Sequence, residues 1–188
     1  MILAGFSSGR RNGNTEVLIK EALEAAREMG VEIKYYCLRD YDLHQCTPCR
    51  LGTCAASSVD INACPYKDDA IFLVNEFLNA DGVILGSPVY SLTVNSLMMT
   101  FRDRIFGPKM DIATVAAGGK EMEFVKGRFR ARAGGLISVG GAGTEHWTSL
   151  ALPELYTTCF SAQTEVVDVL NAFRIADPGA ATLREDLI

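Results

Sequence analysis

Ile2-Leu3-Ala4-Gly5-Phe6-Ser7-Ser8-Gly9-Arg10-Arg11-Asn12-Gly13-Asn14-Thr15 is the stretch on which the fold turns. The apolar run at its start halts at once in small polar residues, so residues 2–6 read as a buried strand. Asn14 or Thr15 can cap a helix, Leu18, Ala22, Ala25 and Met29 fall on one face of it, and Gly30 stops it. A strand passing through a short polar loop into a helix is the first half of a βαβ unit, and sheets built from such units bind ligands beyond the C-terminal ends of their strands. The loop suits an anion. Backbone N–H groups at a helix N-terminus attract one, the Ser8 and Thr15 hydroxyls and the Asn14 amide add donors, and Arg10 and Arg11 add charge. The Gly-Lys-Ser/Thr ending of a P-loop and the Gly-x-Gly-x-x-Gly dinucleotide fingerprint are both missing. A plain polar turn with a helix cap is the alternative.

Outward from this stretch, helical and strand patterns alternate. Val31, Ile33, Tyr35 and Cys37 alternate with polar residues over 31–38, which is strand periodicity. A cysteine-rich loop follows, and then a helix starting near Asp68-Asp69 with Ile71, Val74 and Leu78 on its core face. Residues 82–86 are a fully apolar strand, and Val94, Leu97, Met98, Phe101 and Ile105 then keep helical spacing. Residues 107–127 fit no template and read as an insertion. Residues 136–139 read as a strand, 147–159 as a helix and 166–170 as the last strand. The expectation is an α/β fold: a five-stranded parallel sheet with helices on both faces, in a single domain over residues 1–188.

Composition narrows the function. The chain has 188 residues, 48% hydrophobic and 22% charged, with a net charge of −5. Its arginines and lysines are scattered. That argues against nucleic acid and against an anionic membrane surface, both of which need a concentrated positive footprint. The N-terminus lacks the basic and apolar regions of a secretory signal. The uncharged stretch 82–101 is long enough to span a bilayer but contains Ser87, Pro88, Ser91, Thr93, Asn95 and Ser96, so it reads as strand, loop and helix. The expected location is the cytoplasm.

Three loops together resemble the flavodoxin-like NAD(P)H-dependent FMN reductases and the iron–sulfur flavoproteins among them. The first loop of that family runs close to Ser-Gly-Ser-Pro-Arg-Lys-Asn-Gly-Asn-Thr. Ser8, Arg10, Asn12, Asn14 and Thr15 match it, and Phe6, Ser7 and Gly9 depart. Gly86-Ser87-Pro88-Val89-Tyr90 is similar to the family's second flavin loop, and Gly140-Gly141-Ala142-Gly143-Thr144-Glu145 to its third, with Ala142 and Thr144 departing. The likeness runs from about residue 1 to about residue 170 and implies a flavodoxin-like fold around FMN. It places the phosphate among Ser8, Arg10, Asn12, Asn14 and Thr15, and the ring near Pro88, Val89, Tyr90, Gly141, Ala142 and Glu145. Tyr90 is read equally as a stacking residue or a lid over core, Trp147 as helix packing ahead of a cover over the flavin or a contact with a neighbouring subunit, and His146 as uninvolved. The chemistry belongs to the flavin, so no side chain is assigned as catalytic.

Four cysteines crowd one loop: Cys46, Cys49, Cys54 and Cys64. Such a set can hold a [4Fe–4S] cluster or zinc, or remain as free or redox-active thiols. Iron–sulfur flavoproteins carry a compact four-cysteine motif at this point, typically Cys-x2-Cys-x2-Cys-x4–7-Cys. Here the second gap is four residues and the third nine, and Gly52 stands at the usual third position. Cys37 and Cys159 read as buried structural residues.

The resemblance implies electron transfer between a reduced donor (NAD(P)H or a ferredoxin-like protein), FMN and a small acceptor, through a [4Fe–4S] cluster held by the four cysteines. Without a cluster it implies an NAD(P)H-dependent flavin or quinone reductase. A flavodoxin-type carrier is the remaining alternative. It also implies a homodimer or homotetramer, for which residues 110–125 offer apolar side chains without an amphipathic home; a lid folding back over its own flavin is the rival reading of that segment.

Overall fold

The computed structural model describes residues 1–47, 64–106 and 132–187. The 107–127 insertion, Cys49 and Cys54 lie outside the described residues. The elements run β1 (Ile2–Ser7), α1 (Asn14–Glu28), β2 (Glu32–Cys37), α2 (Ala70–Asn79), β3 (Gly82–Tyr90), β4 (Thr93–Val94), α3 (Ser96–Phe106), β5 (Arg132–Val139), α4 (Glu145–Ser149), α5 (Leu152–Ser161) and β6 (Thr164–Ala172). Strands β2, β1, β3, β5 and β6 form a parallel sheet in that spatial order, and the two-residue β4 pairs antiparallel with the end of β3. The five parallel strands and their order of appearance are those expected, and the short β4 is additional.

Strand alternation sends β1 side chains to two cores. On one face Ala4 and Phe6 meet Leu73, Val74 and Phe77 of α2, Met98, Phe101 and Ile105 of α3, and Leu155 and Cys159 of α5. On the other, Leu18, Ile19 and Leu23 of α1 pack on Ile84, Ile137 and Val139. Helices therefore cover both faces. Two glycines let α1 lie close to the sheet. A Cβ at Gly5 would sit 2.5 Å from Ile19 Cγ2, and one at Gly86 would sit 2.6 Å from Ile19 Cδ1 and 2.9 Å from Thr15 Cγ2. This close approach brings the N-terminus of α1 against the ends of β1 and β3.

Three elements differ from their sequence patterns. The α2 helix buries Ala70, Leu73, Val74 and Phe77, leaving Ile71 and Leu78 only partly covered. Of the two phenylalanines on the helix, Phe77 packs its ring edge-on to Phe6 and Phe101 in the core while Phe72 stays half-exposed, and this turns the helix toward Phe77. The helix expected over 147–159 is broken into α4 and α5. Pro153 stands in the first turn of α5, where its missing N–H costs nothing, and it would interrupt a continuous helix. Strand β3 runs past Gly86 to Tyr90 because it turns back into β4 through Ser91 and Leu92, both left-handed at φ 51° and 67°. Two left-handed residues make the tight hairpin turn that matches strand twist, and a leucine there is strained. Among the described residues no helix is long and apolar enough to cross a membrane.

The aromatic cluster carries much of the first core. The Phe6 ring lies 5.1 Å from that of Phe101 and 5.0 Å from that of Tyr36. Phe101→Ala is expected to lower stability by about 3–5 kcal/mol in urea unfolding. A loss under about 1 kcal/mol would mean that this cluster does not support the sheet.

Candidate functional site

The loops after β1, β3 and β5 meet at one edge of the sheet. Between them lies a cavity of about 260 Å³ lined by Gly9, Arg10, Gly13, Asn14, Thr15, Pro88, Val89, Tyr90, Val139, Gly140, Gly141, Ile175 and Ala176. A second cavity of about 500 Å³ shares Arg10 and Tyr90 with it and is walled by Ser8, Arg39, Val94, Asn95, Ser96 and Leu97. A larger groove of about 600 Å³ lies between α1 and β5–β6, away from the loops. Glu21, Glu24 and Glu28 stand along that groove, which makes it hostile to a phosphate.

The first loop is built from the backbone. Ser8 N–H donates to Gly86 O at 3.1 Å, and Gly13 N–H to Arg10 O at 3.1 Å. Gly13 caps α1 without any side-chain hydrogen bond, so the helix offers its first N–H groups to an anion rather than to its own cap. Asn14 and Thr15 thus lie inside the helix, one and two residues later than a capping role requires. Asn12 turns left-handed at φ 56°, and its N–H donates to Glu16 Oε2 at 2.8 Å. Glu16 is buried although charged, and it pins the turn from beneath.

The expected phosphate residues divide. Arg10, Asn14 and Thr15 line the cavity, Ser8 lines its neighbour, and exposed Asn12 lines neither. The Ser8 hydroxyl donates to Gly86 O at 3.4 Å, and Arg10 reaches Ala176 O at 3.3 Å from its exposed side chain. The Asn14 amide is engaged elsewhere: its nitrogen donates to Asp177 O at 2.8 Å and its oxygen accepts from Ala181 N–H at 3.0 Å. Asn14 therefore ties the segment after β6 to the loop rather than offering a free donor.

In the second loop Pro88, Val89 and Tyr90 all line the cavity. Tyr90 is 56% exposed, which removes the reading of a lid over core. In the third loop Gly141 lines the cavity, whereas Ala142 and the exposed Glu145 do not. That loop is fastened to the chain after β6, with Gly140 N–H donating to Ala172 O at 2.9 Å and Arg174 N–H to Ala142 O at 3.0 Å. His146 and Trp147 are exposed on α4, so helix packing does not account for Trp147. Four contributors went unread in the sequence. Ile175 and Ala176 follow the last strand without a pattern. Glu16 reads as an ordinary first-turn acid. Asn95 joins two loops, its amide donating to Ser8 O at 2.5 Å and its oxygen accepting from Met98 N–H at 3.1 Å; only the helix-cap spacing from Asn95 to Met98 hinted at it.

At the cysteine loop, Cys46 is exposed and Cys64 buried. Cys64 Sγ accepts a hydrogen bond from Arg104 Nη2 at 3.4 Å, and Arg104 is paired with Asp68 in a bidentate contact of 2.6 and 2.9 Å. Burial raises the Asp68 carboxyl, but bonds from Arg104 and from His44 N–H outweigh it and hold the group below the usual carboxylate range. Among the described residues no three metal-ligating side chains are grouped. Cys37 and Cys159 are buried, as expected. Burial pushes the Cys37 thiol up, and its S–H donates to Gly9 O at 3.8 Å beneath the first loop.

This geometry agrees with what the chain is similar to. The model of the family described as NADPH-dependent FMN reductase matches residues 1–164. The chain belongs to that family. It is 27% identical over 197 residues to a flavone synthase of Aspergillus candidus, covering 99% of this chain and 59% of that protein. It is 37% identical over 105 residues to an iron–sulfur flavoprotein of Methanocaldococcus jannaschii, covering 55% of this chain and 51% of that one. A solved flavone reductase superposes with a TM-score of 0.67 at 26% identity, over 99% of this chain and 57% of that structure. The chain thus spans between half and three-fifths of the length of these relatives. An NADH:FMN oxidoreductase, at 17% identity and a TM-score of 0.60, shares the flavodoxin-like fold.

The role of Glu16 is open to test. Glu16→Ala is expected to weaken FMN binding by about tenfold, the effect of one lost hydrogen bond to a charged group, while Glu16→Gln keeps an acceptor and binds nearly as wild type. Equal affinity in all three proteins, measured by flavin fluorescence titration, would remove Glu16 from the site.

Proposed function

We propose that this chain is an FMN-dependent oxidoreductase that passes electrons from a reduced donor, NAD(P)H or a ferredoxin-like protein, to a small acceptor. The observation that supports this best is the meeting of three strand-end loops around a cavity whose floor is an uncapped helix N-terminus. In this reading the phosphate rests on the N–H groups at the start of α1, near Thr15 and beneath Arg10. Ser8, Asn12 and Asn14 hold the loop in shape. Pro88, Val89 and Tyr90 face one side of the ring, and Gly141 stands at another, with Ala142 and Glu145 set back. Bound FMN supplies acceptance of a hydride and onward delivery of the electrons. The chain's own residues bind it, orient it and leave Tyr90 exposed at the approach. Relatives named for flavones cover nearly the whole chain, which supports planar conjugated carbonyl compounds as the first acceptors to assay.

One observation at Cys64 supports a thiolate site. Cys64 receives an N–H from a buried cation, as a metal-bound sulfur does, and the loop joins the same sheet edge as the flavin loops. We read Cys46, Cys49, Cys54 and Cys64 as ligands of a [4Fe–4S] cluster. The name of the archaeal relatives supports this. Self-association belongs to the same reading. Trp147, Leu150, Tyr156 and Phe160, between 42% and 62% exposed on and beside α4 and α5, form an apolar surface suited to a second copy. Equilibrium sedimentation at micromolar concentration is expected to give a dimer or tetramer, and a monomer would remove the assembly.

The reading predicts that protein loaded with FMN and freed of excess by gel filtration retains the flavin. NADPH or NADH should then bleach its flavin band anaerobically, and air or a quinone should restore it. Arg10→Ala with Thr15→Ala should release the flavin. Retention of FMN by the double variant would misplace the phosphate, and failure of any pyridine nucleotide to bleach bound flavin would favour a ferredoxin-like donor or a carrier.

A further inference from the structure

The cavity of about 500 Å³ beside the flavin cavity differs in charge from the chain as a whole. The chain has a net charge of −5, and the groove on α1 is lined by Glu21, Glu24, Glu28 and Asp168. Among the described residues no carboxylate lines the second cavity. Arg10 and Arg39 do, with Tyr90 and the hydroxyl-bearing Ser8 and Ser96. Arg39 sits in the single helical turn Leu38–Asp40 that follows β2, and the fully buried Leu38 fixes that turn to the core. The neighbouring acid, Asp40, is already engaged, accepting from Arg11 Nε at 2.9 Å. Among the described residues neither Arg39 nor Arg10 has a carboxylate partner, and Arg10 donates to a neutral carbonyl, Ala176 O, at 3.3 Å. The sheet order β2-β1-β3-β5 sets a direction. The third flavin loop, after β5, lies on one side of the first loop, and Arg39, after β2, lies on the other. Arg10 and Tyr90 line both cavities and so join them.

Two guanidinium groups without a carboxylate partner leave charge-assisted donors for an anion, and their planar forks match the oxygens of a phosphate. A concave space of this volume suits a small molecule, whereas a protein donor needs a broad exposed patch. Tyr90, 56% exposed between the two cavities, adds an aromatic face. We propose that the second cavity is the phosphate subsite of a nicotinamide dinucleotide donor, with Arg39 as its anchoring residue. A donor whose nicotinamide meets the flavin in the first cavity and whose chain runs past Tyr90 brings a phosphate to Arg10 and Arg39. This rests on the reading of the first cavity as the flavin site. Such a donor carries phosphate in two places: the pyrophosphate common to NADH and NADPH, and the 2′-phosphate of NADPH alone. Both present the same chemistry to the arginines, and comparison of the two donors separates them.

Full-length protein loaded with FMN is compared as wild type, Arg39→Ala and Arg39→Lys. Arg39 is exposed on a surface turn, so both variants are expected to fold and to bind FMN as wild type does in fluorescence titration. Anaerobic stopped-flow reduction of the bound flavin then gives the Kd of each donor and the limiting rate. In Arg39→Ala the Kd of NADPH should rise about tenfold or more, with the limiting rate unchanged, and Arg39→Lys should recover part of the loss. An equal rise for NADH assigns the pyrophosphate, and a rise for NADPH alone assigns the 2′-phosphate. Unchanged Kd for both donors would overturn the proposal. So would a parallel loss of FMN affinity, which puts Arg39 in the flavin site, and so would failure of both donors to reduce bound flavin. If wild type holds no FMN, the flavin reading has failed, and calorimetric titration of the flavin-free protein with ADP and with adenosine 2′,5′-bisphosphate decides. Binding of either by wild type that weakens about tenfold in Arg39→Ala supports an anion subsite at Arg39. No binding, or equal binding by both proteins, overturns it.

Discussion

The amide hydrogen of Ser8 donates to the carbonyl of Gly86, and the amide of Asn95 donates to the carbonyl of Ser8. These two bonds lock the ends of β1 and β3 and the start of α3 into one frame, and the rest of the site hangs on it. With β1 and β3 in register, Gly86 lies under Thr15 and Ile19 with no room for a side chain, so α1 must begin where the two strands end. An uncapped helix N-terminus and two strand-end loops then face the same space. That arrangement is a general solution to anion binding in parallel sheets, and this chain reaches it without a P-loop lysine or a dinucleotide glycine triplet.

Local strain is concentrated around that frame. Asn12 in the first loop, and Ser91 and Leu92 beside the second, adopt left-handed backbone that residues other than glycine seldom take. Asn12 is held by Glu16, and the Ser91–Leu92 turn by the β3–β4 pairing. Each is a position where tertiary contacts override local preference so that a loop keeps one shape. Preformed loops reduce the ordering cost of gripping a ligand.

Much of the fold was legible because apolar runs and helical spacing are direct consequences of burial. Residues 2–6, 82–86 and 136–139 stand out as buried strands, and each proves to be part of a longer one, the first two at its start and the third at its end. The face of α2 departs from its spacing because Phe77, not Ile71 or Leu78, packs against Phe6 and Phe101, and the 147–159 helix is split because Pro153 restarts rather than continues a helix. The cavity walls Arg10, Thr15, Pro88, Val89, Tyr90 and Gly141 were readable from loop chemistry and resemblance. Asn14 lines the same cavity, and its side-chain amide also ties in the chain after β6, a second role that loop chemistry does not announce. Glu16, Asn95, Ile175 and Ala176 were not readable, since their roles come from contacts across the fold that leave no periodic trace. Arg104 carries no pattern in the sequence, and its burial against Asp68 and Cys64 comes from the fold.

If the uncapped start of α1 and its loop bind a flavin, they do so through its phosphate. The most direct measurement compares FMN with riboflavin, which differ only in that group, by fluorescence titration of the flavin-free protein. FMN is expected to bind about a hundredfold or more tightly than riboflavin, as several charge-assisted hydrogen bonds require. Equal affinity for the two, or no binding of either, would contradict it.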